Sequence, residues 1–149
     1  MPLDLAALTS SPGLPGAADR DYPATVEACA AAWADALRAY AAAVVPPSTT
    51  VAAAAAALEP ALVAAFRARD LSAIDEALLV FAVAVGAGMA PLYAPIAPTS
   101  GPGLAARLAG GSPPTRAAGV ALVATCIDTW LRLGTATQVA PPYTVLPWS

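Results

Sequence analysis

Ten carboxylates, seven arginines and two cysteines carry most of the reactive chemistry of this 149-residue chain, which has neither histidine nor lysine. General acid–base catalysis needs two such groups converging in a cleft. Here the carboxylates are dispersed, and only Asp75 and Glu76 are adjacent. Glu27, Asp35 and Asp128 could form a pair only if the tertiary fold brought them together, and capping and solvated roles explain them more simply. Without histidine there is no Ser-His-Asp triad and no zincin motif, and without lysine no P-loop and no Schiff base. Cys29 and Cys126 cannot complete a four-ligand zinc site without histidine. They are too few and too far apart to frame a disulfide scaffold, so each is expected to be a small buried hydrophobe. Gly86-Ala-Gly88 and Gly101-Pro-Gly103 lack the third glycine and the preceding strand of a dinucleotide fingerprint. The sequence therefore predicts no catalytic residues, no metal site and no cofactor, and a chain that is not an enzyme.

The charge balance narrows the partners. A net charge of −3 leaves no basic footprint for a phosphate backbone, so no nucleic acid is expected. The abundance of alanine, proline, glycine and arginine reflects a GC-rich genome. The opening MPLDLAALTSSPG has no basic n-region and only a short apolar patch, unlike a secretory signal, so the chain is expected in the cytoplasm where it is made. Its length suits one domain around one core.

The element that would organise that core is SAIDEALLVFAVAVGAGMA, Ser72 to Ala90, in which fourteen residues in succession carry no polar side chain. A helix apolar in every direction is buried on all sides. On that basis Val83→Asp should unfold the chain. Ser72 is placed to act as N-cap and Asp75 to answer in a capping box. Pro91, Pro95 and Pro98 cut the run short of the roughly 20 residues that a membrane span requires, so no membrane is expected. Three further helices are predicted. One runs from near Pro23 to before Pro46, with Val26, Ala30, Trp33, Leu37, Tyr40 and Val44 on a single stripe. A second follows Ser48 to Thr50, which are available as its caps. Its stripe of Val51, Ala55, Leu58, Leu62 and Phe66 keeps phase across Pro60, so it should be kinked or restart there. The last begins at Ser112 or Thr115 and ends at Gly134, with Val120, Val123, Ile127, Trp130 and Leu131 inward and Asp128 paired to Arg132. The expected fold is all-α, an irregular antiparallel bundle of four helices near 23–45, 49–68, 72–90 and 113–133.

Around this body, residues 1–22 read as a surface arm docked by Leu3, Leu5 and Leu8, and the bundle domain spans 23–134. Within it, 91–114 is a proline- and glycine-rich connector with room only for a short helix at Leu104 to Ala109. Residues 135–149, TATQVAPPYTVLPWS, should form an extended tail reaching at most about 50 Å. Its Tyr143, Val145, Leu146 and Trp148 are apolar enough to need a partner surface, either a neighbouring subunit or the chain's own body.

Ile127-Asp-Thr-Trp130, then Gly134-Thr-Ala-Thr137, then the closing Pro147-Trp-Ser149, with the Ala-Pro-rich connector after Gly86-Ala-Gly88-Met89, resembles small virion structural proteins of tailed bacteriophages and prophages. The likeness covers the second half of the chain. It implies a non-enzymatic subunit of the neck, tail or baseplate, located in the virion and present in several copies. Its partners would be copies of itself and other virion structural proteins. On this view Tyr143, Val145, Leu146 and Trp148 would meet a neighbour. The alternative, motivated by the 58 % hydrophobic composition, is a small membrane- or lipid-associated helical protein.

Overall fold

The apolar stripes lie where helices form. The computed structural model of the chain describes residues 3–10, 13–16 and 21–149. It contains α1 (Leu5–Thr9), α2 (Val26–Ala41), α3 (Val51–Ala68), α4 (Leu71–Ala87), α5 (Leu104–Leu108) and α6 (Arg116–Leu131), with strands β1 (Tyr93–Ile96), β2 (Thr135–Gln138) and β3 (Val145–Pro147). Ala30, Leu37 and Tyr40 of α2, Leu58 and Leu62 of α3 and Ile127, Trp130 and Leu131 of α6 are buried in one core. α3 packs between α2 and α4 and continues through Pro60. Arg69, left-handed at φ 54°, ends α3, and the Arg69-Asp70 connection leads directly into α4.

The caps are distributed differently from the sequence expectation. α4 is capped by Asp70, whose carboxylate accepts from Ser72 N at 2.9 Å and Ala73 N at 3.2 Å, and not by Ser72. Asp75 is thereby free of a capping box. Its two oxygens accept instead from Leu104 N and Ala105 N at 2.9 and 3.3 Å, fixing the first turn of α5 from another helix. Ser48 and Thr50 do not cap α3 with their side chains. Ser48 Oγ donates to Val85 O at 2.6 Å and Thr50 Oγ1 to Ala84 O at 2.5 Å, so they bind carbonyls of the last turns of α4 instead. Thr25 and Thr115 do cap α2 and α6, accepting from Ala28 N and Ala118 N.

Both expected arms belong to the body. Leu3, Leu8 and Leu14 are buried in the common core, and α1 packs on α2 and α6. Pro12, Asp19 and Arg20, counted in the expected N-terminal arm, lie outside the described residues. The C-terminal segment is not an extended tail. β2 pairs antiparallel with β1 and with β3 in a three-stranded sheet of order β1-β2-β3, so the protein is mostly helical but not all-α. The proline-rich connector supplies β1 because its prolines fall where they cost nothing. Val139 N donates to Leu92 O, and Gln138 N and Trp148 N donate to Thr144 O and Gly134 O. By the alternation of an antiparallel ladder, the nitrogens of Pro95 and Pro147 then point away from β2, where no ladder bond is required.

The end of the chain locks this sheet to the helices. Trp148 is 1 % exposed. Its indole lies over Gly86 of α4 and over Gly134, just past α6. A Cβ at Gly86 would stand 3.0 Å from Trp148 Cζ2, and one at Gly134 would overlap the ring outright. Gly134 is thus needed for close approach rather than as a left-handed C′ residue. Trp148 Nε1 is buried without a hydrogen-bond partner, so shape holds the indole in place. Ser149 and Val45 exchange backbone bonds beyond it, at 2.8 and 3.2 Å.

The central helix is not buried on every side. Ile74, Leu78, Phe81 and Val85 face the core, but Val80 and Val83 are 66 % and 54 % exposed. α3, α5 and the sheet pack on other parts of its surface, so the face that carries Val80 and Val83 stays open despite its apolar composition. Trp148→Ala is therefore expected to cost about 3–5 kcal/mol in chemical denaturation, while Val83→Asp stays within about 0.5 kcal/mol of the parent. The reverse order would contradict this packing.

Candidate functional site

The three carboxylates that might have met in a cleft are kept apart, each beside an arginine. Glu27 pairs with Arg67 between α2 and α3. The backbone bond to its carboxylate and then the Arg67 guanidinium hold its pKa below the usual range. Asp35 pairs with Arg38 at 3.1 Å on the exposed face of α2. Asp128 binds Arg132 Nε through both oxygens at 3.1 Å and accepts from Tyr40 Oη at 2.5 Å. Arg132 also donates to Leu3 O, so this cluster ties α2, α6 and the N-terminal segment together. Burial, then the hydrogen bond to the Asp128 carboxylate, push the Tyr40 phenol far above its ordinary pKa. A phenol held this firmly in its protonated form is a donor, not a base at neutral pH. The cluster is a structural tie.

Two further pockets gather polar or aromatic side chains among the described residues. An open groove of about 550 Å³ beside α6 brings Ser100, Arg107, Thr125, Cys126 and Thr129 to its walls, but no general base stands next to any of these groups. A second, apolar pocket of about 270 Å³ is lined by Leu14, Tyr22, Cys29, Trp33, Phe66 and Val120. Trp33 meets Phe66 edge-on, with centroids 5.6 Å apart, and Arg116 sits 4.5 Å above the Tyr22 ring. Burial raises the Cys29 thiol pKa, which suppresses the reactive thiolate. Cys29 and Cys126 are both free. Among the described residues no three His, Cys, Asp or Glu side chains gather as a metal site.

What the surface does offer is apolar area. On the helical side, a groove of about 250 Å³ between α3 and α4 is lined by Ala57, Ala61, Ala77, Val80 and Ala84. On the sheet, residues paired across the strands share a face. Pro95, Ala136 and Leu146 form one row, and Ala136 is buried with Pro95 against Gly86, so this is the inward face. Ala94, Thr137 and Val145 form the next row, followed by Ile96, Thr135 and Pro147, with Leu92 and Val139 at the far end. These residues look outward, and Leu92, Ile96, Val139, Tyr143 and Val145 are all more than half exposed.

The four tail residues singled out in the sequence thus divide. Trp148 is committed to its own core, which removes it as a contact for another chain, and Leu146 is half-buried on the inward face. Val145 looks outward on β3, and Tyr143, left-handed at φ 57° in the turn before it, is exposed. Sequence reading missed their neighbours Leu92, Ile96 and Val139. The available signal was a β-branched residue at every second position, Thr135, Thr137 and Val139, which suits a strand. A comparison with protein-family models, curated proteins and solved structures finds no match for this chain.

The Tyr40 tie makes a test. Because the folded-state pKa is raised, stability is complete below the unfolded tyrosine value of about 10 and declines as pH rises above it. The phenolate absorbance of Tyr40, measured as the difference between the parent and Tyr40→Phe, should appear only as alkali unfolds the protein. Its appearance in folded protein would show that the Asp128 contact does not hold. Tyr40→Phe should also lose about 1.5–3 kcal/mol, the range for a hydrogen bond to a charged group.

Proposed function

We propose that this chain is a non-enzymatic structural subunit of a tailed-phage virion, in the neck, tail or baseplate, which assembles through surfaces of its helical body and its C-terminal sheet. The observation that carries the assembly reading is the exposure of Val80 and Val83 on one side and Leu92, Ile96, Val139, Tyr143 and Val145 on the other. Surfaces of this kind are covered in a working assembly, since contiguous exposed apolar patches mark interaction sites. The virion assignment rests on the resemblance carried by Ile127-Asp-Thr-Trp130, Gly134-Thr-Ala-Thr137 and Pro147-Trp-Ser149. The mode of assembly differs from a free tail reaching across a neighbour. The body presents preformed faces, so little chain entropy is lost on association.

A second reading has an observation of its own. α3 is long and apolar enough to cross a membrane, with a mean hydropathy of 1.5 over 18 residues and only 33 % of them buried. Against it stand Glu59 and Pro60 in mid-helix, and the inward face of Leu58 and Leu62 that closes the core. Particles purified from a producing culture should contain the chain at a fixed copy number. Absence from particles, together with flotation of the purified chain on phosphatidylcholine vesicles, would favour the lipid-associated protein.

A further inference from the structure

We infer that the outward face of the three-stranded sheet is a self-association surface, and that its occupant is the same face of a second copy of this chain. This deepens the assembly reading and rests on it only for the expectation of several copies. The face consists of Leu92, Ala94 and Ile96 on and beside β1, Thr135, Thr137 and Val139 along β2, and Tyr143, Val145 and Pro147 on and beside β3. None of these nine residues is charged.

Charge selects the occupant. The chain carries a net −3, so two copies meeting through most surfaces bring like charges together. On this face they bring none, and two-fold pairing needs a patch compatible with itself. Shape agrees. The central strand presents Thr135 and Thr137, while Leu92 and Ile96 stand along one flank and Val145 and Pro147 along the other, with Tyr143 exposed in the turn before β3. The trough between the flanking strands is about 10 Å wide, two strand spacings. A copy related by a two-fold axis and offset by one strand lays the β1 ridge of each molecule into the trough of the other.

The edges disfavour the competing geometry, in which a strand of another chain extends the sheet. Tyr93 N is already bonded to Met89 O, and Pro95 has no N–H, so β1 offers no free donor along its outer edge. Pro147 removes a donor from the outer edge of β3, and Val45 exchanges bonds with Ser149 just beyond it. Only the Val145 N–H is left on the outer edge of β3, and edges blunted in this way resist strand addition. Face-to-face association is therefore favoured.

Area sets the strength. Five side chains more than half exposed, at on the order of 100 Å² each, together with Ala94 and Pro147, give about 500–700 Å² per copy. That is at the low end of the roughly 800 Å² per partner of a specific interface, so pairing should be reversible and concentration-dependent.

Sedimentation equilibrium of the purified full chain across a concentration series tests this. The parent should pass from monomer to dimer. Val145→Glu on β3 and Ile96→Glu on β1 should each weaken dimerisation at least about tenfold, while Val80→Glu on the helical face leaves it unchanged. Thermal melts of each variant establish that it is folded, and two substitutions on different strands guard against one failing to fold. A parent that stays monomeric throughout overturns the inference, as does a dimer that survives both sheet substitutions. A dimer lost only in Val80→Glu assigns self-association to α3 and α4 instead. A monomer that floats with phosphatidylcholine vesicles through Val145 gives the face to lipid and likewise overturns it. None of these outcomes depends on whether the chain is found in virions, so failure here is distinguishable from failure of the virion assignment.

Discussion

One indole holds the two halves of this molecule together. Trp148 can lie flat against α4 and the end of α6 only because Gly86 and Gly134 present bare backbone beneath it. The fit supplies a large apolar burial at the cost of an unpartnered Nε1, a penalty of about 1–3 kcal/mol that a fully buried tryptophan offsets. Everything C-terminal to α6 follows from this contact. β3 must run beside β2 for Trp148 to reach its seat, β2 must then take β1 as its other neighbour, and the proline-rich connector is drawn into the sheet. The outward face of the sheet is a by-product of the inward one, since alternate residues of a strand go to opposite sides.

The same economy appears in the caps and in the buried polar cluster. Asp75 on α4 fixes α5, and Ser48 and Thr50 ahead of α3 close the carbonyl end of α4. Asp128 accepts at once from Tyr40 on α2 and Arg132 on its own helix. Asp75, Ser48, Thr50 and Tyr40 each bind an element other than their own, so these bonds also set the spacing between elements. Glu27, Asp35 and Asp128, dispersed in the sequence, are likewise held apart in the fold, each beside an arginine.

The helical part was legible because its signal is periodic. Val51, Ala55, Leu58, Leu62 and Phe66 mark a face without knowledge of what lies opposite, and α3 passes through Pro60 in the phase they define. Where the sequence carried no contrast, reading failed. α4 has no polar residue between Ala77 and Ala87 to show which side meets water, so Val80 and Val83 could not be told from Phe81 and Val85. The strands were hidden for another reason. Pro95 and Pro147 normally argue against a strand, and only the pairing register shows that their nitrogens face outward. Tyr143 and Val145 were singled out by their chemistry as needing a partner surface, and both are exposed, whereas Leu92 and Ile96 come near them only through the fold, from far away in the chain. Trp148 carried the same apolar signal as Tyr143 and went to the opposite environment, a choice made by two distant glycines.

The last residues are part of the folded core rather than a free tail. Native-state hydrogen exchange of the Trp148 and Ser149 amides, which donate to Gly134 O and Val45 O, tests it most directly. If Trp148 anchors the sheet, both amides exchange only with the global opening that also releases Leu78 and Val85 of α4. Exchange of these two amides at free-peptide rates, while α4 remains protected, would contradict it.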